Sequence, residues 1–350
     1  MSIVFFTRYG RLGPSSRIRT FQLLENSIFK ECQVNSLISD DLLSRRYKNK
    51  KYSKGPVLFS IINRIIFVLK RPKDEVFYIE KELLPWLPFW LEKLILGKRK
   101  YILDFDDATW HYYDQHKTFL IRYFFKNKIK KLIRRATLVL CGNEYLKNYA
   151  HISGAKNIVK IPTVIDFEKY SKINTIDNSS RPIRVVWIGT PATSEYLTVI
   201  SEPLKRLSKE FDFELVVIGD TEFELDGVNI VNYDWSENTE VSLIKTCDIG
   251  VMPFFLKKFT EGKCGYKLIQ YMACGLSVVA TYSGANAEIV EKCAGGMVVK
   301  NDMEWYDSLR MLFLDQDRRI YNKLNLPKKI ECYYSVGTVV NIWSQEIQNI

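Results

Sequence analysis

The sequence predicts an α/β protein made of two doubly wound, Rossmann-like domains, and three observations lead there. Short apolar runs rich in Val, Ile, Phe and Tyr alternate with longer stretches of helical periodicity along the whole chain. The 350 residues exceed one ordinary domain of about 100 to 200 residues and suffice for two cores. The charge also changes sign near the middle: residues 1–170 hold 32 basic and 16 acidic side chains (+16), whereas 171–350 hold 19 and 24 (−5). With 47% hydrophobic and 26% charged residues, the composition excludes a disordered or coiled-coil chain.

In chain order, the strands expected in the first domain are SIVFF, QVNSLI, EVFYIE, YILDF, TLVLC and NIVKIP. Those expected in the second are IRVVWIG, FELVVIGD, VNIV, CDIGVMP, LSVVAT and GGMVV. Continuous apolar strands separated by helices imply parallel sheets covered on both faces. The expected division is a first domain over 1–170, a polar linker over 171–182, a second domain over 183–330 and a terminal helix over 331–350 packing back on the first domain. Paired sheets of this kind collect ligands at the carboxyl ends of their strands, so functional residues are expected there.

Seven cysteines without a Cys-x-x-Cys pair, and three histidines without a His-Glu-x-x-His, argue against a disulfide framework or a dedicated metal cage. Neither a metal nor another cofactor is expected. The N-terminus lacks the marks of a signal peptide, and the most apolar stretches, 57–69 and 83–96, are interrupted and fall short of the ~20 residues a spanning helix needs. A cytoplasmic location, peripheral to the inner face of a membrane, is the expectation.

The stretch 119–136 reads as one amphipathic helix with Ile121, Phe125, Ile129, Leu132, Ile133 and Ala136 on one face. Its other face is basic, with no acidic residue between Asp114 and Glu144. Two readings stay open: a helix packing its apolar face into its own domain, or an interfacial helix on anionic lipid. A second basic block at 45–54, and Trp86 and Trp90, favour the lipid reading. No zinc finger, RNA-recognition motif or basic zipper accompanies the charge, so no nucleic-acid partner is expected.

The most specific string is EGKCGYKLIQYMACGLSVVAT, 261–281, a glycine-rich loop opening a helix whose start carries Lys263 and Lys267. Amides at a helix N-terminus beside ammonium groups suit a diphosphate, and Gln270 lies one turn on. Plain α/β packing also places glycines at such turns.

At this string the chain resembles the GT-B glycosyltransferases of the family 4 type, often labelled group 1. In that family a helix of the form Glu-x7-Glu-Ala-Met-Ala-x-Gly-x-Pro-Val-Val binds the nucleotide sugar, and 262–279 looks like a variant of it. The resemblance sets Gln270 in place of the second glutamate, which contacts the ribose, and Gly262 in place of the first. It implies a donor site made of Gly189, Thr190, Thr193, Lys263, Gly265, Lys267, Leu268 and Gln270. The family commonly supplies an Arg and a Lys after the first strand of the second domain. Here IGTPATSEYL has neither, so Lys263 and Lys267 are expected to supply that charge.

RYGRLGPSSRIR resembles the family's phosphate and acceptor loop, implicating Gly13, Ser15, Ser16, Arg17 and Arg19. YILDFDDATW matches a strand end where many members carry a histidine near the reaction centre. Asp106 takes its place with Asp107 adjacent, and these two are the catalytic candidates; helix capping is the alternative reading of the same carboxylates. Glu144 and Asp166 are weaker candidates. The resemblance implies a retaining, metal-independent transferase moving a sugar from a nucleotide-sugar donor. Charge and family habit suggest a lipid-linked or membrane-proximal glycan acceptor in surface polysaccharide biosynthesis. Two rivals stay open: a nucleotide-sugar 2-epimerase of the same architecture, and a catalytically silent sugar-nucleotide-binding protein.

Overall fold

The computed structural model describes residues 2–49, 54–171 and 181–350. It contains two six-stranded, wholly parallel sheets, and each of the twelve runs read as strands from the sequence overlaps one. The strands of the first sheet are β1 (Ile3–Tyr9), β2 (Gln33–Ile38), β3 (Val76–Glu80), β4 (Tyr101–Phe105), β5 (Leu138–Cys141) and β6 (Ile158–Lys160). They lie in the order β2-β1-β3-β4-β5-β6. The second sheet holds β7 (Ile183–Ile188), β8 (Phe213–Ile218), β9 (Ile230–Tyr233), β10 (Ile249–Met252), β11 (Ser277–Thr281) and β12 (Gly296–Val299), in the order β12-β11-β10-β7-β8-β9. Central strands such as β3 and β4 are buried along their whole length, which explains why they read as unbroken apolar runs.

Contacts divide the chain into two compact units. The first comprises Met1–Thr163, Glu261–Cys264 and Val339–Ile350; the second comprises Val164–Thr260 and Gly265–Thr338. Most of the linker expected at 171–182, namely 172–180, lies outside the described residues, as do residues 50–53 of the basic block at 45–54. In the first unit the last helix, Val336–Gln348, delivers Trp343 into the core. Its indole lies 5.7 Å from the Tyr78 ring and 6.0 Å from Phe5, and Nε1 donates to the Tyr78 hydroxyl at 3.3 Å.

The single helix expected over 119–136 is two, Phe119–Phe125 and Lys128–Arg135, separated at Lys126 and Asn127. Lys128 is the reason the second begins where it does. Its ammonium is drawn inside, within 2.7 Å of Glu82, 2.9 Å of Glu92 and 2.6 Å of the Leu84 carbonyl. Ile129, Leu132, Ile133 and Ala136 are fully buried in the first unit's core, so the apolar face read from the sequence is a packing face. The exposed apolar surface is a different set: Phe119, Leu120, Tyr123 and Phe124 project outward, each more than 60% exposed.

Candidate active site

In the first unit, β1 leads into a turn that closes on itself at Gly13. A Cβ there would fall 2.3 Å from the Tyr9 Cβ, so only glycine lets the short helix Pro14–Ser16 return against the strand end. That return delivers two hydroxyls. Ser16 Oγ donates to Glu80 Oε2 at 2.6 Å, and Ser15 Oγ reaches both Glu80 Oε1 at 3.2 Å and a carboxylate oxygen of Asp106.

Glu80 ends β3, and the next residue is the centre of the arrangement. Lys81 has φ +65°, a left-handed conformation that is rare for a non-glycine residue, and the Glu82 amide bonds back to the Glu80 carbonyl at 2.8 Å. The turn aims the buried Lys81 ammonium at Ser15 Oγ (2.8 Å), Asp106 (2.9 Å), Asp107 (3.5 Å) and Glu80 (3.9 Å). Burial opposes charge on Lys81, but the three carboxylates outweigh it and its pKa rises. Burial also pushes Asp106 up, yet Lys81 and the Ser15 hydroxyl win and the net shift is downward. For Asp107, burial and the Asp106 charge prevail over Lys81 and Lys263, and its pKa is raised. One aspartate is therefore held ionised while its neighbour is eased toward the protonated form.

Arg19 does not serve as the phosphate ligand expected of it. It is buried, paired with both Asp104 oxygens, and donates to the Ile161 carbonyl at 2.6 Å, while Tyr78 completes Asp104 at 2.8 Å. Arg17 is also nearly buried, with Nη1 toward the Arg11 carbonyl. Glu144 is paired on the surface with Lys160 and Lys147. Asp166 has its carbonyl bonded by the Lys169 amide.

The segment Glu261–Cys264 is seated on the first unit. Asn143 Nδ2 donates to the carbonyls of Gly262 (3.0 Å) and Lys263 (3.1 Å), and Cys264 Sγ donates to the Asp106 carbonyl at 3.1 Å. A Cβ on Gly262 would lie 2.5 Å from the Ala108 nitrogen, which explains a glycine at this position in physical terms. Lys263 accordingly keeps company with Asp107.

In the second unit, Gly189 follows β7 and Gly219 follows β8. Gly219 has φ +100°, and a Cβ on it would meet the Gly189 carbonyl oxygen at 2.0 Å. Thr193 Oγ1 donates to the Thr190 carbonyl at 3.0 Å and accepts from the Thr190 amide at 3.2 Å, so it shapes the loop from within. Gly265, at φ +67°, starts the helix Tyr266–Ala273. Lys267 stands with its ammonium 4.2 Å from the centre of the Trp187 ring. Two expected donor ligands prove internal: Leu268 is fully buried in the core, and Gln270 is buried with Nε2 donating to the Tyr170 hydroxyl at 3.0 Å.

The structure thus brings together Ser15, Ser16, Asp106 and Asp107 in one unit, and Gly189, Thr190, Thr193, Gly265 and Lys267 in the other. Sequence reasoning missed Glu80, Lys81 and Trp187. The available signal was the charged triplet Glu80-Lys81-Glu82 directly after a buried strand. Among the described residues no group of three or more His, Cys, Asp or Glu is arranged to hold a metal ion, and no helix is long and apolar enough to cross a membrane.

Two wholly parallel six-stranded sheets with flanking helices, glycine turns and charged groups at their carboxyl ends make up the GT-B fold of two Rossmann-like domains. Residues 182–315 match the family model described as glycosyl transferases group 1. It is similar to HepE of Anabaena, solved with UDP-glucose, at 12% identity over 100% of both chains and a TM-score of 0.73. It is also similar to WaaG, described as a glycosyltransferase involved in lipopolysaccharide biosynthesis, at 13% identity over 97% of this chain and 99% of that one, TM-score 0.68. Sucrose-phosphate synthase of Thermosynechococcus elongatus gives 10% identity over 100% and 99% of the chains, TM-score 0.68. No curated protein matches the sequence.

Proposed function

We propose that the protein transfers a sugar, with retention of anomeric configuration, from a nucleoside-diphosphate donor to a hydroxyl of a lipid-linked or membrane-proximal glycan. The observation that carries this is the second unit's loop and helix around Lys267, which lie within the group 1 family match. Glycines at 189 and 265 form close-packed turns there, and HepE, of the same fold, was solved with UDP-glucose. Gly189, Thr190, Thr193, Gly265 and Lys267 hold the donor in this reading. As the sugar–phosphate bond breaks, negative charge grows on the diphosphate; the Lys267 ammonium and the loop amides stabilise it without a metal ion. The acceptor reaches the first unit, where Asp107, with its raised pKa, and Asp106 bind sugar hydroxyls.

The membrane part of the reading rests on the first unit's surface. Phe119, Leu120, Tyr123 and Phe124 stand exposed on the 119–125 helix, and Trp90 and Leu94 on the helix Phe89–Leu96. Arg122 lies over the Phe119 ring at 6.0 Å, and Lys131 over Phe89 at 5.6 Å. Exposed aromatics set among basic side chains fit the boundary of an anionic leaflet. This surface replaces the buried face that the sequence offered for the same task.

The test is to incubate the protein with UDP-, GDP- and dTDP-sugars, with and without vesicles containing bacterial lipid extract, following nucleotide release and product anomers by NMR. Lipid-dependent release with a retained anomer is expected. Lipid-independent conversion of the sugar would replace the reading with an epimerase, and binding without turnover with a silent module. Replacing Phe119 and Phe124 by Ser should abolish flotation with anionic vesicles while leaving the melting temperature within a few degrees, because both rings are solvent-exposed.

A further inference from the structure

Where β3 and β4 end, one ammonium serves three carboxylates. Lys81 Nζ donates to Ser15 Oγ at 2.8 Å and lies 2.9 Å from Asp106 Oδ1, 3.5 Å from Asp107 Oδ2 and 3.9 Å from Glu80 Oε1. The backbone fixes its place. The Lys81 amide donates to the Asp104 carbonyl of β4 at 2.9 Å, and the left-handed φ of +65° turns the chain at the strand end. A non-glycine residue holds that conformation at an energetic cost, and the placing of the ammonium is what the turn achieves. The three carboxylates are not served alike. Glu80 is supplied independently, because Ser16 Oγ (2.6 Å) and the Arg8 amide (3.1 Å) both donate to its Oε2. Asp106 meets Lys81 at one oxygen and Ser15 Oγ at the other, whereas Asp107 meets Lys81 at one oxygen and at the longer distance. The Asp107 side chain is 26% exposed and that of Asp106 13%, so Asp107 is the more open of the two to a ligand.

Neighbouring carboxylates oppose each other's ionisation, and a cation nearer to one of them decides which stays charged. The other groups facing the pair do not reverse that choice. Arg19 acts on Asp106 and Lys263 on Asp107, the Cys264 thiol faces both, and the Tyr112 hydroxyl faces Asp107. Burial pushes both aspartates up; Lys81 and Ser15 reverse this for Asp106, while the Asp106 charge adds to it for Asp107. We propose that Lys81 is the positioning residue of the acceptor site, drawing Asp106 inward and leaving Asp107 as the carboxyl group that meets the acceptor's hydroxyl. This rests on the reading of the first unit as the acceptor side of a sugar transfer.

The experiment has two readouts on the full-length protein. The first is an NMR titration of protein carrying 13C at the aspartate carboxyls, with Asp106→Asn and Asp107→Asn assigning the two signals. In the wild type Asp107 should titrate at higher pH than Asp106. Lys81→Met should raise the Asp106 midpoint by about one pH unit or more and abolish that order, and Lys81→Arg, which keeps the charge, should restore it. The second readout is nucleotide release from UDP-, GDP- and dTDP-sugars with vesicles of bacterial lipid extract. Asp107→Asn should raise the amount of extract giving half-maximal release about tenfold, the scale of a hydrogen bond to a charged group. Lys81→Met should move the acid limb of the rate upward by about one pH unit, because removing a cation raises the pKa of carboxyls beside it. Its UDP affinity, measured by calorimetry, should stay within about twofold, since the nucleotide is assigned to the other unit. If Lys81→Met does not fold, the wild-type titration decides: Asp106 titrating at or above Asp107 overturns the inference. A folded Lys81→Met with a lower melting temperature but unmoved aspartate midpoints and acid limb would give Lys81 a merely structural role, and overturns it while leaving the transferase reading intact. A wild-type protein that releases nucleotide from none of the three donors overturns both.

Discussion

Both units are wholly parallel six-stranded sheets, of different strand order, and they also differ in how they prepare the carboxyl ends of their strands. In the first, the strand ends are crowded with side-chain charge that is already paired: Lys81 among Glu80, Asp106 and Asp107, Arg19 against Asp104, and Lys128 between Glu82 and Glu92. In the second, the corresponding loops are built from Gly189, Thr190, Thr193, Gly219 and Gly265, and the nearest cation rests on an aromatic ring. Paired charges present directional donors and acceptors, which suit a hydroxyl-rich ligand. An ammonium beside close-packed glycine turns suits an anion.

The largest effect expected from breaking that contrast lies in the first unit. Lys128→Met would leave Glu82 and Glu92 facing each other in the core, and removing one partner of a buried ionic group costs about 3–5 kcal/mol. In the wild type, burial pushes Glu82 up, but Lys128 and Arg8 outweigh it and hold the carboxyl below its ordinary value; Glu92 is raised by burial despite Lys128. Without Lys128 both carboxyls have folded-state pKa values above the unfolded value. The variant's deficit is then smallest in acid, where both are protonated, and grows as pH rises through the raised values. Urea unfolding at pH 4 and pH 7 measures this. A loss under about 1 kcal/mol at pH 7 would mean that the first unit does not depend on its matched charges.

The second unit should be sensitive at backbone positions instead. Gly265→Ala forces a left-handed residue to carry a Cβ 2.4 Å from Ile289 Cδ1, and a loss of about 1–3 kcal/mol is expected together with weaker nucleoside-diphosphate binding. Gly284→Ala is the control in the same unit. Nothing lies within 4 Å of its Cβ position at the head of the helix Gly284–Cys293, and the substitution should be neutral or stabilise by up to about 1 kcal/mol. Equal melting temperatures for the two variants would show that the tight turn at Gly265 is not a constraint.

These contrasts also explain what was legible in the sequence. All twelve strands could be read because a strand buried on both faces must be a continuous apolar run, which is a local property. The charge difference between the halves was likewise a matter of counting. The matched pairs were not legible, because each joins residues far apart in the chain: Arg19 and Asp104 are separated by 85 positions, Lys128 and Glu82 by 46. An arginine after a glycine-rich turn looks like a phosphate ligand until its buried carboxylate is known. For the same reason Gln270 looked free for a ribose although Tyr170, 100 residues earlier, takes its amide. The break at Lys126 and Asn127 was hidden because the helical periodicity continues across it, while the Lys128 ammonium turns inward to Glu82, Glu92 and the Leu84 carbonyl.

The smallest of the three effects concerns two helix caps, one in each unit. Ser283 caps the helix Gly284–Cys293 by accepting from the Asn286 amide at 3.3 Å, and Ser283→Ala should cost about 1 kcal/mol, the usual value of a lost N-cap. Asn143 caps the helix Glu144–Ile152 through Oδ1, which accepts from the Leu146 amide at 2.9 Å, but its Nδ2 has a second task in holding the Gly262 and Lys263 carbonyls. Asn143→Asp separates the two. Aspartate is as good a cap as asparagine, and its charge gains from the helix dipole by about 0.3–1 kcal/mol, so capping alone predicts a neutral or stabilised protein. It also turns a donor into an acceptor facing two carbonyl oxygens, and a buried polar group without its partner costs about 1–3 kcal/mol. A net loss at pH 7 is therefore expected from a substitution that capping rules would favour, measured by denaturant midpoint against Asn143→Ala. Were Asn143→Asp as stable as the wild type, the Glu261–Cys264 segment would be held by something other than this amide, and the placing of Lys263 beside Asp107 would lose its main support.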